Sequence, residues 1–144
     1  MAINTETVFD AVKARVVALA GMQHVYEGVP ESLGNQVVAY LTVGAQTMAG
    51  IRAGGHQTWE QRFRVTFGYR VAGAEPTAER KVAQFIDALR KSIMDDRKMG
   101  GAVDSAEVDL SLADGPEYES AAAQEFRRYP VVVVTRQSET ITPS

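Results

Sequence analysis

The sequence predicts an α+β sandwich, a four-stranded antiparallel sheet with two helices packed on one face in the order α-β-β-α-β-β, and three observations carry that expectation. The stretch TWEQRFRVTFGYRV, Thr58 to Val71, sorts its residues with period two: Trp59, Phe63, Val65, Phe67, Tyr69 and Val71 fall on one side, interrupted only by Gln61, and Glu60, Arg62, Arg64, Thr66, Gly68 and Arg70 fall on the other. Only a β-strand separates two faces this way. Two other segments carry apolar residues at helical spacing, and the remaining strand-like runs follow one another as hairpins instead of alternating with helices, which is the mark of an antiparallel sheet.

Taken in order, the chain opens a helix at Asn4 or Thr5, where a side-chain oxygen can cap the first amides and Glu6 lies near the positive end of the helix dipole. Val8, Val12, Val16 and Leu19, with Phe9 beside them, form its buried stripe, and Gly21 is placed to end it. The loop EGVPESLGN then leads to a β-branched strand, Gln36 to Val43. Gly44 to Gln57, glycine-rich and without a core face, reads as a long loop joining this strand to Thr58–Val71, and loops beyond about 12 residues in compact domains tend to be functional.

Thr77 is placed to cap a second helix with the stripe Val82, Phe85, Ile86, Leu89 and Ile93, stopped by Gly100 and Gly101. A third strand alternates Ala106, Val108, Leu110 and Leu112 with Ser105, Glu107, Asp109 and Ser111, and a turn around Asp114, Gly115 and Pro116 leads to the fourth, Phe126 to Gln137. The run of four valines in that strand calls for burial on both faces, while Pro130, lacking an amide donor, calls for an edge or a bulge. Trp59, Phe63, Phe67 and Tyr69 are expected to meet Phe9, Val12, Phe85 and Leu89 in the core. Residues 1–137 form one domain on this reading, and 138–144 a flexible tail.

Composition narrows the function. A chain of 144 residues with 45% hydrophobic content has enough material for one core, and no apolar run approaches the ~20 residues needed to cross a bilayer. The N-terminus lacks the order of a signal peptide, so a soluble protein made in a cytosol is expected, with no membrane partner. Without cysteine, thiolate metal sites are excluded, and His24 and His56 are too few for a histidine cluster. The net charge of −3 argues against a general grip on nucleic acid.

The arginine face of Thr58–Val71 is the distinctive feature. Arg62, Arg64 and Arg70 on this strand and Glu107 and Asp109 on the third present opposite charges, worth only about 0.2–1 kcal/mol per facing pair but able to set register and partner choice. The face reads either as ordinary cross-strand pairing or as a surface that packs on another copy, where the planar guanidinium favours bidentate contact with carboxylates. A DNA-binding strip fits worse, because no aromatic shares the face. No phosphate loop, nucleophile elbow or metal spacing occurs, and Asp95 and Asp96 read as a solvated helix end. No enzyme and no cofactor are therefore expected.

The ordered set of the amphipathic first helix, VYEGVPESLGNQVVAYLTVG, WEQRFRVTFGYRV, AERKVAQFIDALRKSI closed by GG, and EFRRYPVVVVTRQ resembles the tail terminator (tail completion, minor tail) proteins of long-tailed bacteriophages. The likeness spans nearly the whole chain and has no catalytic motif within it. It implies a structural virion protein of the neck, assembled in the host cytoplasm as a homo-oligomeric ring, usually a hexamer. Such a ring caps the tail tube, stops its polymerisation and joins the tube protein to the head-completion (stopper) protein, while DNA passes through the channel without being read. Arg62, Arg64 or Arg70 meeting Glu107 or Asp109 of a neighbour would supply a ring contact, and Met48, Ile51 and Arg52 in the Gly44–Gln57 loop would reach the tube or stopper. The alternatives are another ring subunit, of tube or stopper, and a small-molecule-binding α+β domain with a pocket between helices and sheet.

Overall fold

The computed structural model describes residues 4–52, 55–110, 117–121 and 124–140. Asn4 stands in extended backbone and its side-chain oxygen accepts from the Thr7 amide at 3.0 Å, satisfying one of the donors that a helix start leaves without a partner. Helix α1 (Thr5–Val17) buries Val8, Val12 and Val16, and Gly21 takes the positive φ of 86° that turns the chain into the sheet. Thereafter come β1 (Val25–Glu27), β2 (Val38–Arg52), β3 (His56–Arg70), α2 (Ala78–Asp95), a 3-10 turn (Met99–Gly101), β4 (Ser105–Asp109), β5 (Glu117–Ala121) and β6 (Gln124–Thr140).

The α+β class holds, with both helices contributing to one core on one face of the sheet. The strand count and order do not match the expectation. Among the described residues the sheet has six strands, running β1-β2-β3-β6-β4 with β5 also on β6. Strand β1 is parallel to β2, Val25 lying opposite Ala39; three residues between a helix and a loop carry too little periodicity to be read as a strand. Strands β4 and β5 lie end to end along the edge of β6 that faces away from β3. Pro130 falls between the spans they occupy, so its missing donor costs no ladder bond on that side.

The helical face of β3 carries Phe63, Val65, Phe67 and Tyr69, all buried, against Leu41, Val131 and Val133 of the adjoining strands and Val82, Phe85, Leu89 and Ile93 of α2. Phe9 meets Phe63 at 6.2 Å between ring centroids, and Phe67 stacks on Phe85 at 5.8 Å, within the range where aromatic pairs add to simple burial. Trp59 is only half-buried and stands outside this cluster. The four valines are buried on both faces, Val131 and Val133 beneath the helices and Val132 and Val134 on the other side.

The expected loop Gly44–Gln57 is corrected by the structure. Strand β2 continues to Arg52 and β3 begins at His56, so the segment is the upper part of a long hairpin. Register shifts between Val43 and Gln46 and between Met48 and Gly50 break the period-two pattern at two points, which is why no strand face is visible in the sequence. Fifteen-residue strands extend about 50 Å, whereas the eighteen-residue α2 extends about 27 Å. The hairpin and the end of β6 thus form a three-stranded arm beyond the helices. The expected tail is corrected in part: β6 keeps its pairing through Thr140 opposite His56. Ser111, Leu112 and the turn at Asp114, Gly115 and Pro116 lie outside the described residues, as do 141–144.

Phe63→Ala should destabilise the chain by about 3–5 kcal/mol, whereas Met48→Ala, on the exposed arm, should stay within about 0.5 kcal/mol. Urea unfolding of the two variants checks this division between core and arm.

Candidate assembly surface

The face of the sheet without helices begins with register. Opposite Arg62 and Arg64 on β6 stand Val134 and Val132, and on the far side of β6 the same rows continue to Glu107 and Asp109 of β4. The expectation that β3 and β4 face each other directly is therefore corrected: β6 lies between them. Its Arg136, not singled out from the sequence, becomes the link. The Arg136 guanidinium lies 3.0 Å from Glu60 Oε1 and 3.2 Å from Glu107 Oε1, and Arg62 lies 3.5 Å from the other Glu60 oxygen. A chain of alternating charge, Glu107–Arg136–Glu60–Arg62, thus crosses three strands within one subunit.

Arg64 lies on the same face, half-buried, and Arg70 turns at the strand end to donate from Nε to the Ala72 carbonyl at 3.3 Å. Asp109 is half-buried at the end of β4. The structure brings Arg62 and Glu107 into one network, places Arg64 and Asp109 in one cross-strand row, and leaves Arg70 at the opposite end of β3. Exposed pairs of this kind contribute about 0–1 kcal/mol each. Their consequence is orientation of the side chains more than stability.

Part of this face is covered. The chain between β1 and β2 folds across it, the Arg70 amide donating to the Gly34 carbonyl at 2.7 Å, and Leu33 packs with Val38 and Phe126 in a second apolar cluster. Gly68 permits that approach, since a Cβ there would stand 3.1 Å from Leu33 Cδ1. Beside the crossing is a depression of about 190 Å3 lined by Val29, Tyr40, Thr42, Arg64, Thr66 and Arg128.

On the arm, Met48 pairs with Trp59, and Trp59 in turn with Gln137 of β6. Val43 and Met48 are 56% and 48% exposed. The Trp59 indole N–H is shielded from water and has no acceptor among the described residues, a state that costs about 1–3 kcal/mol. Ile51 and Arg52 pair through their backbones with Gln57 and His56; their side chains lie outside the described residues.

One polar cluster on the helical side was not legible in the sequence. Glu79, in the first turn of α2, accepts from the Tyr69 hydroxyl on one carboxylate oxygen and from the Tyr129 hydroxyl on the other, with Arg127 Nε 2.7 Å from Oε1. Arg127 also lies over the Tyr129 ring, 4.9 Å from its centroid. Partial burial raises the Glu79 pKa, but the two phenol hydrogen bonds and the arginine charge outweigh it and the net shift is downward. Burial and the hydrogen bond to Glu79 push Tyr129 up to about 12, and Tyr69 upward as well. A saturated carboxylate between two protonated phenols is a clasp between helix and sheet and a poor proton acceptor. Only the β3–β6 pairing brings Tyr69 beside Arg127, so no spacing along the chain announces it. Asp96 is likewise more than a solvated helix end: its carboxylate takes Arg15 of α1 at 2.5 Å, which holds its pKa down.

No helix among the described residues is long and apolar enough to cross a membrane. No family model matches the chain, and no curated protein matches it. A solved structure whose name describes no activity is similar at 17% identity, covering 99% of this chain and 100% of that one, with a TM-score of 0.49; at that level the likeness carries no argument about function.

The clasp predicts the pH dependence. Because Glu79 is held below its ordinary value, its contribution is present above the unfolded carboxylate pKa and is lost as pH falls through the folded one. Tyr129, held above its ordinary value of 10.0, contributes fully below pH 10 and loses that contribution as pH rises toward about 12. In Glu79→Gln both limbs of the stability–pH curve should flatten, as read by thermal melts from acid to alkaline pH.

Proposed function

We propose that the chain is a structural subunit of the neck of a long-tailed phage, a tail terminator that assembles as a ring, caps the tail tube and receives the head-completion protein. The observation that carries this reading is the arm. A three-stranded extension with exposed Val43 and Met48, beside a tryptophan whose buried N–H has no acceptor among the described residues, is a surface whose apolar and hydrogen-bonding capacity a partner can complete. Met48, Ile51 and Arg52 at its far end are the contacts to tube or stopper. The helix-free face with Arg62, Arg64, Arg70, Glu107 and Asp109 supplies one side of the contact to neighbouring copies, and ring closure requires that a different patch of the neighbour meet it. Six copies form the ring in this proposal, and DNA passes through its channel unread, which the net charge of −3 on each chain suits. The role is not catalytic. The small-molecule alternative needs a hollow between helices and sheet, where Phe63, Phe67, Leu89 and Ile93 are packed at no more than 1% exposure.

The mass of the purified protein, measured by light scattering alone and with tail tubes, tests the reading: discrete rings that bind tube ends and stop elongation are expected. Tubular polymers, or a monomer indifferent to tubes, would exclude it. Arg64→Glu should weaken ring formation while leaving the monomer folded. Deletion of Ala49 to Gly54, which shortens the arm, should abolish joining to tube or stopper and leave the core folded.

A further inference from the structure

The depression on the helix-free face has a composition that the ring reading alone does not require. Thr66 forms its floor, 3% exposed, with Tyr40 opposite it on β2 and Pro130 opposite it on β6. Arg64 lies one same-face position toward the arm, paired with Thr42, and Arg128 lies on β6 opposite Gly68. Val29, 59% exposed, stands at the rim. Two arginines and two threonines therefore line one hollow, together with Tyr40 and Val29.

We infer that this basin is a carboxylate socket that takes an aspartate or glutamate side chain of a second copy of the chain. Three features argue for that occupant. The guanidinium fork matches a carboxylate in two parallel hydrogen bonds, and hydroxyls can supply donors to the remaining lone pairs. A volume of about 190 Å3 exceeds the ~150 Å3 that suffices for benzene, so a whole side chain enters, with its methylenes against Tyr40 and Val29. The chain is rich in the matching group, with 18 acidic residues against 15 basic ones. Exposed acids such as Glu6 and Asp10 lie on α1, across the sheet from the basin. Socket and acid on opposite sides of one subunit make a head-to-tail contact, so this inference rests on the ring proposed above and specifies how its copies engage.

The test uses the full-length chain in two arms. In the first, the amide resonances of Thr42 and Thr66 are followed in dilute protein as glutarate is added. Saturable shifts with a Kd of about 1 mM are expected, weakened about tenfold in Arg128→Gln, less in Arg128→Lys, and unchanged in Arg80→Gln, exposed on α2 on the other side of the sheet. Shifts that do not saturate, or phosphate binding more tightly than glutarate, would overturn the socket. In the second, light scattering follows assembly against concentration. Arg128→Gln should need about tenfold more protein to assemble, with Arg128→Lys guarding against a folding defect. Unchanged assembly in both variants sinks the socket while the ring stands; a wild type that never self-associates, alone or on tail tubes, sinks both.

Discussion

The buried amide of Gln61 marks the place where this sheet changes from core to arm. It lies on the helical face of β3, 5% exposed, in the row otherwise filled by Phe63, Val65 and Phe67. The bulge in β2 between Val43 and Gln46 takes the Gly44 and Ala45 carbonyls out of the regular ladder, and Gln61 Nε2 donates to both, at 3.0 and 3.4 Å. Its own backbone carbonyl receives the Thr135 hydroxyl at 3.1 Å. Gly44 suits that close approach, since a Cβ would stand 3.0 Å from the Arg62 carbonyl oxygen. A bulge bends its strand and sharpens the twist. Below it the sheet packs on helices; above it the strands run on past them, tied at the start to the turn after α2, where Gln137 donates to the Ala102 carbonyl and the Ser138 amide to Asp104.

The ends of the helical layer are held differently from its middle. The middle is apolar, and burial of the large side chains there supplies the stability, each worth about 1.5–3 kcal/mol. The ends carry polar ties: the Glu79 clasp fixes the start of α2 to β3 and β6, Arg15 and Asp96 join the end of α1 to the end of α2, and Lys13 lies 2.9 Å from Glu27 of β1. Partly exposed ties of this sort add little energy. What they add is direction, because they fix where along the sheet each helix begins and ends, and so how much of the sheet is left as arm.

That division explains what was legible in the sequence. The aromatic face of β3, the stripes of both helices and the double burial of Val131 to Val134 follow from periodicity, because each depends on residues within one element. Strand β1, the arm and the Glu107–Arg136–Glu60–Arg62 network depend on which strands are neighbours, and neighbours are set by the fold. Strand order along the chain sets Glu107 beside the arginines of β3, whereas the Phe126–Gln137 strand, legible in itself, inserts between them. The glycines of 44–55 suit a loop and a bulged hairpin equally well, and only pairing with a third strand, β6, decides for the hairpin.

The arginines on β3 have a physical role that does not depend on sequence order. Val132 and Val134 point away from the helices, yet are only 9% and 2% exposed. Their cross-strand neighbours are Arg64 and Arg62, whose long methylene stems can lie over apolar surface while the charged heads stay wet. Lysine would cover as much but would lose the planar fork that reaches carboxylates; glutamate would bring a shorter stem beside Glu60 and Glu107. Arginine alone shields the valines of an uncovered sheet and still presents a directional charge outward. A mildly acidic chain can thus keep Val132 and Val134 dry where no other segment crosses the sheet, with the charged heads turned outward.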